Sequence, residues 1–367
     1  MSMRVLVVDD TVLFRRAVSM ALEGVPGVEV VGAAANGRLA LARMEALRPD
    51  LVTLDIEMPE MSGIEVLEAM RSAGLPAGVI VLSAHTVKGG MLTMRALELG
   101  AFDFLTKPEC GAPGENIASL RTQLQPMIRA FGRRREIRNI LAAPPRQVVS
   151  PSPVERTESP AAQTRRPRAS GPPIVLIGVS TGGPAALARL LPALPAGLGA
   201  PVFIVQHMPA LFTQALAASL AARSAIRVKE AEDGETAQAN CAYIAPGGRQ
   251  MKLLRGSRGE PVVRITDDPP ENNCRPAVDY LFRSVALEFP GRAVAVILTG
   301  MGNDGTAGLR MLKRGGAQAI AQDEASCVVF GMPREAILAG VVDTIAPLDS
   351  IAAAIVRSLR DGPGAGE

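Results

Sequence analysis

Ser180, His207 and Asp304 are the residue types of a nucleophile, a base and an orienting carboxylate, and each follows an apolar run. Ser180 lies in IVLIGVSTGGPAAL, residues 174–187. The β-branched run Ile174-Val175-Leu176-Ile177 reads as a buried parallel strand. It turns through Gly178-Val179-Ser180-Thr181-Gly182-Gly183, and Pro184 suits the first position of a helix. A serine is thereby held where a strand ends and unpaired helix amides point outward. Gly178-x-Ser180-x-Gly182 satisfies the nucleophile-elbow pattern, but the same turn could cradle a phosphate and do no chemistry. His207 follows the run Pro201–Val205, and Asp304 follows Ala293–Leu298 and a Gly-rich turn. Parallel strands present their carboxyl ends on one rim, so the three side chains can meet there. A histidine can take the serine proton near neutral pH, and a carboxylate fixes its tautomer. The chain order Ser, His, Asp differs from that of α/β-hydrolases, which favours a Rossmann-like domain with a convergent triad.

A second constellation occupies the first third. Short buried strands are expected at 4–8, 28–33, 51–54, 78–82 and 101–105, with helices at 13–23 and 38–47. The alternation predicts a doubly wound parallel sheet. The strand ends carry Asp9, Asp10, Asp55, Ser83 and Lys107. Crowded carboxylates repel unless a cation lies among them, and hard oxygen ligands favour magnesium. A lysine can pair with an added phosphoryl group and a serine can hydrogen-bond it. Any one of these aspartates could be a solvated strand end, but five matched positions argue for a site.

The elements that must position these groups follow from the whole chain. Its 367 residues predict two domains. The composition, 48% hydrophobic and 20% charged, suits globular domains, and a net charge of +3 gives no argument for nucleic acid. Four scattered cysteines without a CxxC pair, and two histidines, make a structural zinc site unexpected; free thiols in a reducing compartment are expected instead. No run reaches the roughly 18 apolar residues of a membrane span, and the short apolar N-terminal run does not resemble a signal peptide. A soluble, cytoplasmic protein is expected. A helix is predicted over 115–138, with Arg133, Arg134, Arg135 and Arg138 at its end. The Pro-, Ser- and Arg-rich stretch 142–173 is expected to be an extended tether. Further strands are expected at 318–321 and 341–345, helices at 211–222 and 277–288, and an antiparallel set within 242–266. His85 and the acidic residues Asp267, Asp268 and Glu271 are expected in solvated loops. Cys274 and Asp279 lie in a segment that could approach the site, or could simply pack.

Residues 1–125, with VVDD, LDIEMPEMSGIEVL, the Ser83 strand end and FLTKP in order, resemble the response-regulator receiver domain, a flavodoxin-like fold. The resemblance implies that Asp55 is the phosphoacceptor. It implies that Asp10, Asp55 and the Glu57 carbonyl hold Mg²⁺ with help from Asp9. Ser83, Lys107 and the switch aromatic Phe104 would sense the phosphoryl group. Residues 173–362, with IGVSTGGPAAL, IVQHMP, YIAPGGRQM and ILTGMGNDGTAGL, resemble the catalytic domain of chemotaxis protein-glutamate methylesterases; residues 126–172 form the helical extension and linker. This resemblance implies a phosphorylation-controlled hydrolase of γ-glutamyl methyl esters on methyl-accepting chemotaxis receptors, with deamidation of receptor glutamines. Ser180 would be nucleophile, His207 general base and acid, Asp304 the orienting carboxylate, and the Thr181 and Met301 amides the oxyanion hole. No cofactor is implied for this domain. A chemotaxis-type histidine kinase would be phosphodonor, with no nucleic acid partner, no membrane insertion, and a cytoplasmic location at receptor arrays.

Three rival readings remain. A DNA-binding regulator would need a basic helix-turn-helix. A nucleotide-binding module would leave His207 and Asp304 unexplained. A receiver-linked serine esterase acting on a non-receptor ester would keep the chemistry and change only the substrate.

Overall fold

The computed structural model describes residues 2–108, 113–142 and 171–361. The first unit is a parallel sheet in the order β2-β1-β3-β4-β5. Its strands are β1 (Met3–Val8), β2 (Val28–Ala34), β3 (Leu51–Asp55), β4 (Gly78–Ser83) and β5 (Asp103–Thr106). The helices are α1 (Val12–Glu23), α2 (Gly37–Leu47), α3 (Gly63–Ala73), α4 (Val87–Glu98) and α5 (Pro113–Ala142). The central strands β3 and β4 are buried on both faces, as continuous apolar runs in a parallel sheet should be. α3 begins with a capping box between Ser62 and Glu65, which satisfies amides the helix cannot bond internally. α5 runs past the expected Arg138 to Ala142 despite Pro126 within it. Residues 143–170 of the expected tether, and Cys110, lie outside the described residues.

The second unit is built on a sheet of seven strands in the order β14-β13-β12-β6-β7-β9-β8, paired in parallel throughout. They are β6 (Ile174–Val179), β7 (Val202–Gln206), β8 (Arg227–Glu230), β9 (Cys241–Ile244), β12 (Ala293–Ile297), β13 (Gln318–Gln322) and β14 (Thr344–Ala346). α6 (Gly183–Leu190), α7 (Phe212–Ala221), α8 (Val278–Glu288), α9 (Thr306–Arg314), α10 (Met332–Leu338) and α11 (Leu348–Asp361) accompany them. The antiparallel set is narrower than expected. Only β10 (Gln250–Arg255) and β11 (Pro261–Thr266) form it, while β9 joins the main sheet parallel to β7. The core includes Phe203 stacked on Tyr243 at 5.3 Å between ring centroids, with Phe282 and Phe289 fully buried.

The two units pack together. α4 lies on α7, so close at Gly90 that an added Cβ would stand 3.3 Å from the Ala215 Cβ. Phe104 of β5 stacks on Phe212 at 4.9 Å between ring centroids. Glu98 accepts from Ser219 Oγ at 2.8 Å and pairs with Arg223.

Gly178 lets α8 seat against the strand that carries Ser180. A Cβ there would lie 2.5 Å from Val278 Cγ1 and 3.1 Å from Ile297 Cδ1. Gly178→Ala should therefore destabilise the second unit by about 1–3 kcal/mol through overpacking. Urea unfolding followed by tyrosine fluorescence reads this unit selectively, since the chain's two tyrosines, Tyr243 and Tyr280, both lie in it. An unchanged midpoint would contradict the tight seating.

Candidate active site

β12, β6 and β7 are adjacent in the sheet, so the residues beyond their carboxyl ends converge. His207 Nε2 lies 2.8 Å from Asp304 Oδ2. Asp304 is buried and its carboxylate is saturated with donors. Oδ2 accepts from Val278 N at 2.6 Å, and Oδ1 from Asp279 N at 2.9 Å, Gly305 N at 3.0 Å and Asn272 Nδ2 at 2.9 Å. Two of those amides open α8, so the positive end of its dipole faces the carboxylate. Burial raises the Asp304 carboxyl, but His207 and these amides outweigh it and hold the group below the usual carboxylate range. Burial likewise disfavours the His207 cation, but Asp304 and Cys274 outweigh it and raise the ring to about 9. The pair is thus built to stabilise an imidazolium.

Because Nε2 is committed to Asp304, Nδ1 is the ring nitrogen that faces away from the carboxylate. Nδ1 faces Cys274 Sγ at 3.6 Å. Among the described residues no hydrogen bond joins the Ser180 hydroxyl to the ring. Catalytic hydrogen bonds commonly tighten only when substrate is bound.

The serine turn is fixed from several sides. Gly182 has φ of +75°, and a Cβ there would stand 2.4 Å from Val328 Cβ. Gly300 admits the close approach of β12's loop, since a Cβ would lie 2.8 Å from Ser180 Cβ. Gln206 Nε2 donates to the carbonyls of both Ser180 at 3.0 Å and His207 at 3.1 Å, tying the two segments together. Thr299 Oγ1 donates to Thr181 O at 3.0 Å. Among the described residues, the Thr181 and Met301 amides donate to no backbone carbonyl. Amides left free at a helix start and a Gly-rich turn can hold a developing oxyanion.

Gln206 and Asn272 were not found in the sequence; only the adjacency of Gln206 to His207 offered a signal. Cys274 and Asp279 belong to the site's surround and are not simple packing residues: Asp279 is buried and accepts from Gly308 N at 2.6 Å and Asn272 Nδ2 at 2.9 Å. Asp267 and Asp268 are exposed as expected, whereas Glu271 is partly buried and paired with Arg283 at 2.5 Å.

In the first unit, Lys107 Nζ lies 2.6 Å from Asp9 Oδ2 and 2.7 Å from Asp55 Oδ2. Burial, opposed by Lys107, raises Asp55 to about 6. Oxygens of Asp9, Asp10 and Asp55 all lie within 4.8 Å of one another, a donor set that fits a hard divalent cation. Glu57 N donates to Asp55 Oδ1 at 3.4 Å, and the Glu57 side chain pairs with Lys88 at 2.8 Å. Ser83 is buried, and its hydroxyl donates to Gly89 O at 3.2 Å and accepts from Thr93 at 2.8 Å. Phe104 is buried at the contact between units. His85 is not in a solvated loop; Nε2 lies 3.0 Å from Ala210 O, and its ring stacks on Phe212.

Ser180→Ala should lower ester hydrolysis by about 10⁴–10⁶ while the unfolding midpoint stays put, because the side chain sits partly exposed in a turn. Retention of most activity would exclude Ser180 as nucleophile.

Residues 175–355 match the family model described as CheB methylesterase, and residues 5–114 match that of the response regulator receiver domain. The chain is 49% identical to the protein-glutamate methylesterase/protein-glutamine glutaminase of Desulfotalea psychrophila, over 98% of this chain and 99% of that one. It is 44% identical to the protein of the same name from Bacillus subtilis, over 97% and 98%. The solved catalytic domain of Thermotoga maritima CheB methylesterase is 42% identical and matches 51% of this chain and 98% of its own, with a TM-score of 0.50. The strand-end triad, the receiver-like acidic cluster and these full-length matches agree: the chain belongs to the protein-glutamate methylesterase/protein-glutamine glutaminase family.

Proposed function

We propose that this chain is a phosphorylation-controlled serine hydrolase that removes methyl groups from γ-glutamyl methyl esters of chemoreceptors and deamidates receptor glutamines. The observation that carries the reading is the convergence of Ser180, His207 and Asp304 at three adjacent strand ends, in a chain whose first unit carries the Asp55 site. With the ring raised to about 9, the neutral form that acts as base grows as pH rises toward that value; in it, the Ser180 hydroxyl attacks the ester carbonyl as His207 Nδ1 takes its proton. The oxyanion of the tetrahedral intermediate rests on the Thr181 and Met301 amides. The imidazolium, stabilised by Asp304, returns the proton to the departing methanol. Water, deprotonated by the same ring, then releases the γ-glutamyl group from Ser180 as a free carboxylate. A glutamine follows the same course with ammonia as leaving group.

A chemotaxis-type histidine kinase is the phosphodonor for Asp55. Asp9, Asp10, Asp55 and the Glu57 carbonyl would hold Mg²⁺, which when bound neutralises the carboxylates and the incoming phosphoryl group. Lys107 already bridges Asp9 and Asp55 and would pair with that group, while Ser83 would have to leave Gly89 to reach it. Such movement at the end of β4 and beside Phe104 would be felt at the stacked Phe104–Phe212 contact. Among the described residues no helix is long and apolar enough to cross a membrane, and action from the cytoplasm at receptor arrays suits this reading.

The first unit restrains the second by covering its rim. A cleft of about 880 Å³ reaches Met301 and Asn303 and is walled on the other side by Gln125, Arg129 and Arg133 of α5. Asp103 of β5 is buried beside Thr181. Methanol release from methylated receptor membranes tests both function and restraint. Residues 147–367 alone should outpace the untreated intact chain. A phosphodonor with magnesium should stimulate the intact chain but not its Asp55→Asn variant. No methanol from any of the three would reject the substrate. Equal rates for fragment and untreated chain would reject the covering.

The restraint should also depend on pH. Burial, opposed by the Phe104 amide and the Thr181 hydroxyl, raises Asp103 to about 6. Exposed on undocking, it would return toward about 3.9. The docked form therefore binds a proton more tightly; this contribution to docking is fully present below the lower value and is lost as pH rises through the upper one. The rate of untreated intact chain relative to the fragment should climb between about pH 5 and about pH 7 and be flat in Asp103→Asn. A flat ratio in the unaltered protein would remove Asp103 from the contact.

A further inference from the structure

We propose that Cys274 and His207 form an inhibitory zinc site at the mouth of the triad. The inference rests on the hydrolase reading for its consequence, but its geometry stands apart from it. Cys274 and His207 are far apart in sequence, and no metal-ligand spacing links them. The fold brings Cys274 Sγ to 3.6 Å from His207 Nδ1. Zinc binds thiolate sulfur at about 2.3 Å and imidazole nitrogen at about 2.0–2.1 Å, and a tetrahedral angle between those bonds sets nitrogen and sulfur about 3.6 Å apart. The two donors thus already stand along one edge of a zinc tetrahedron.

The surroundings suit a metal on that nitrogen. A zinc-ligating imidazole usually donates its other N–H to a carboxylate, which fixes the tautomer and strengthens the ligand. His207 Nε2 is so placed on Asp304, which is in turn anchored by backbone amides of α8. Cys274 is held as firmly. Its amide donates to Glu271 O at 2.8 Å and its carbonyl accepts from Glu271 N at 3.0 Å, while Gln250 Nε2 donates to the Cys274 carbonyl at 3.4 Å. Oxygen of Asp304 completes a group of three donor atoms within 4.8 Å of one another, but its commitments make it a support for the imidazole and not a ligand. The remaining positions on zinc are left for water. Thiolate and imidazole select zinc over magnesium, so this site and the oxygen-lined cluster at Asp55 would not compete for one ion.

On binding, the Cys274 thiol and the His207 imidazolium each give up a proton to solvent, and the Nδ1 lone pair so freed enters a bond to zinc. That lone pair is the one that must receive the Ser180 proton, so hydrolysis stops until the metal is withdrawn.

The experiment uses the intact, metal-free chain titrated with Co²⁺, whose thiolate complexes absorb in the near ultraviolet. A thiolate-to-cobalt band should appear, vanish on addition of Zn²⁺, and be missing from both Cys274→Ser and His207→Gln. Ser180→Ala should keep it, so the band reports the site even if the hydrolase reading fails. In methanol release, each protein compared with its own metal-free rate, Zn²⁺ should inhibit at a concentration at least about tenfold lower for the unaltered chain than for Cys274→Ser, with recovery on chelation. No cobalt band, a band that survives in Cys274→Ser, or equal zinc sensitivity of the two proteins would overturn the proposal and leave the contact a plain S–H to nitrogen hydrogen bond.

Discussion

The hydrogen bond between His207 Nε2 and Asp304 is the interaction on which the second unit's chemistry depends. It joins two strand ends, and its carboxylate is the point where α8, the β12 loop and Asn272 all deliver N–H groups. A buried carboxylate without such donors would cost several kcal/mol. The helix N-terminus and the Gly305 amide remove that penalty and leave Oδ2 to face His207 Nε2. Gly300 and Gly182 then let the Ser180 turn pack closely against the β12 loop and Val328.

Much of this was legible before the structure because parallel strands bury both faces. Runs such as Ile174–Val179 and Ala293–Ile297 are continuous in apolar residues, so their ends, and the polar residues beyond them, stand out. β8 was not legible for the converse reason: RVKE, at the sheet's edge, carries little apolar pattern. β9 was visible as a strand, but its partner was assigned to the neighbouring hairpin, since pattern fixes faces and not pairing. The roles of Gln206, Asn272 and Cys274 depend on contacts between distant segments, which periodicity cannot report. His85 failed for the same reason, its partners Ala210 and Phe212 lying in the other unit.

The same packing that brings the units together makes regulation economical. Phe104, in the strand that leads to Lys107, rests on Phe212, and α7 leads back to the sheet that carries His207. Asp103 lies beside Thr181, whose amide is a candidate oxyanion donor. Under the proposed control, a change at Asp55 would reach the rim through Phe104 and Asp103, while the α4–α7 contact and the Glu98 and His85 bonds also hold the units together. A shift of about 1.4 kcal/mol in docking changes the open-to-closed ratio tenfold.

The proposed chemistry requires that Asp304 hold His207 by Nε2 and leave Nδ1 to the serine. With only two histidines in the chain, ¹⁵N-imidazole labelling resolves it, the His207 signals being those lost in His207→Gln. A strongly downfield proton coupled to Nε2 of His207 should appear and should shift when Asp304 is replaced by asparagine. A downfield proton coupled to Nδ1 and insensitive to Asp304 would contradict it.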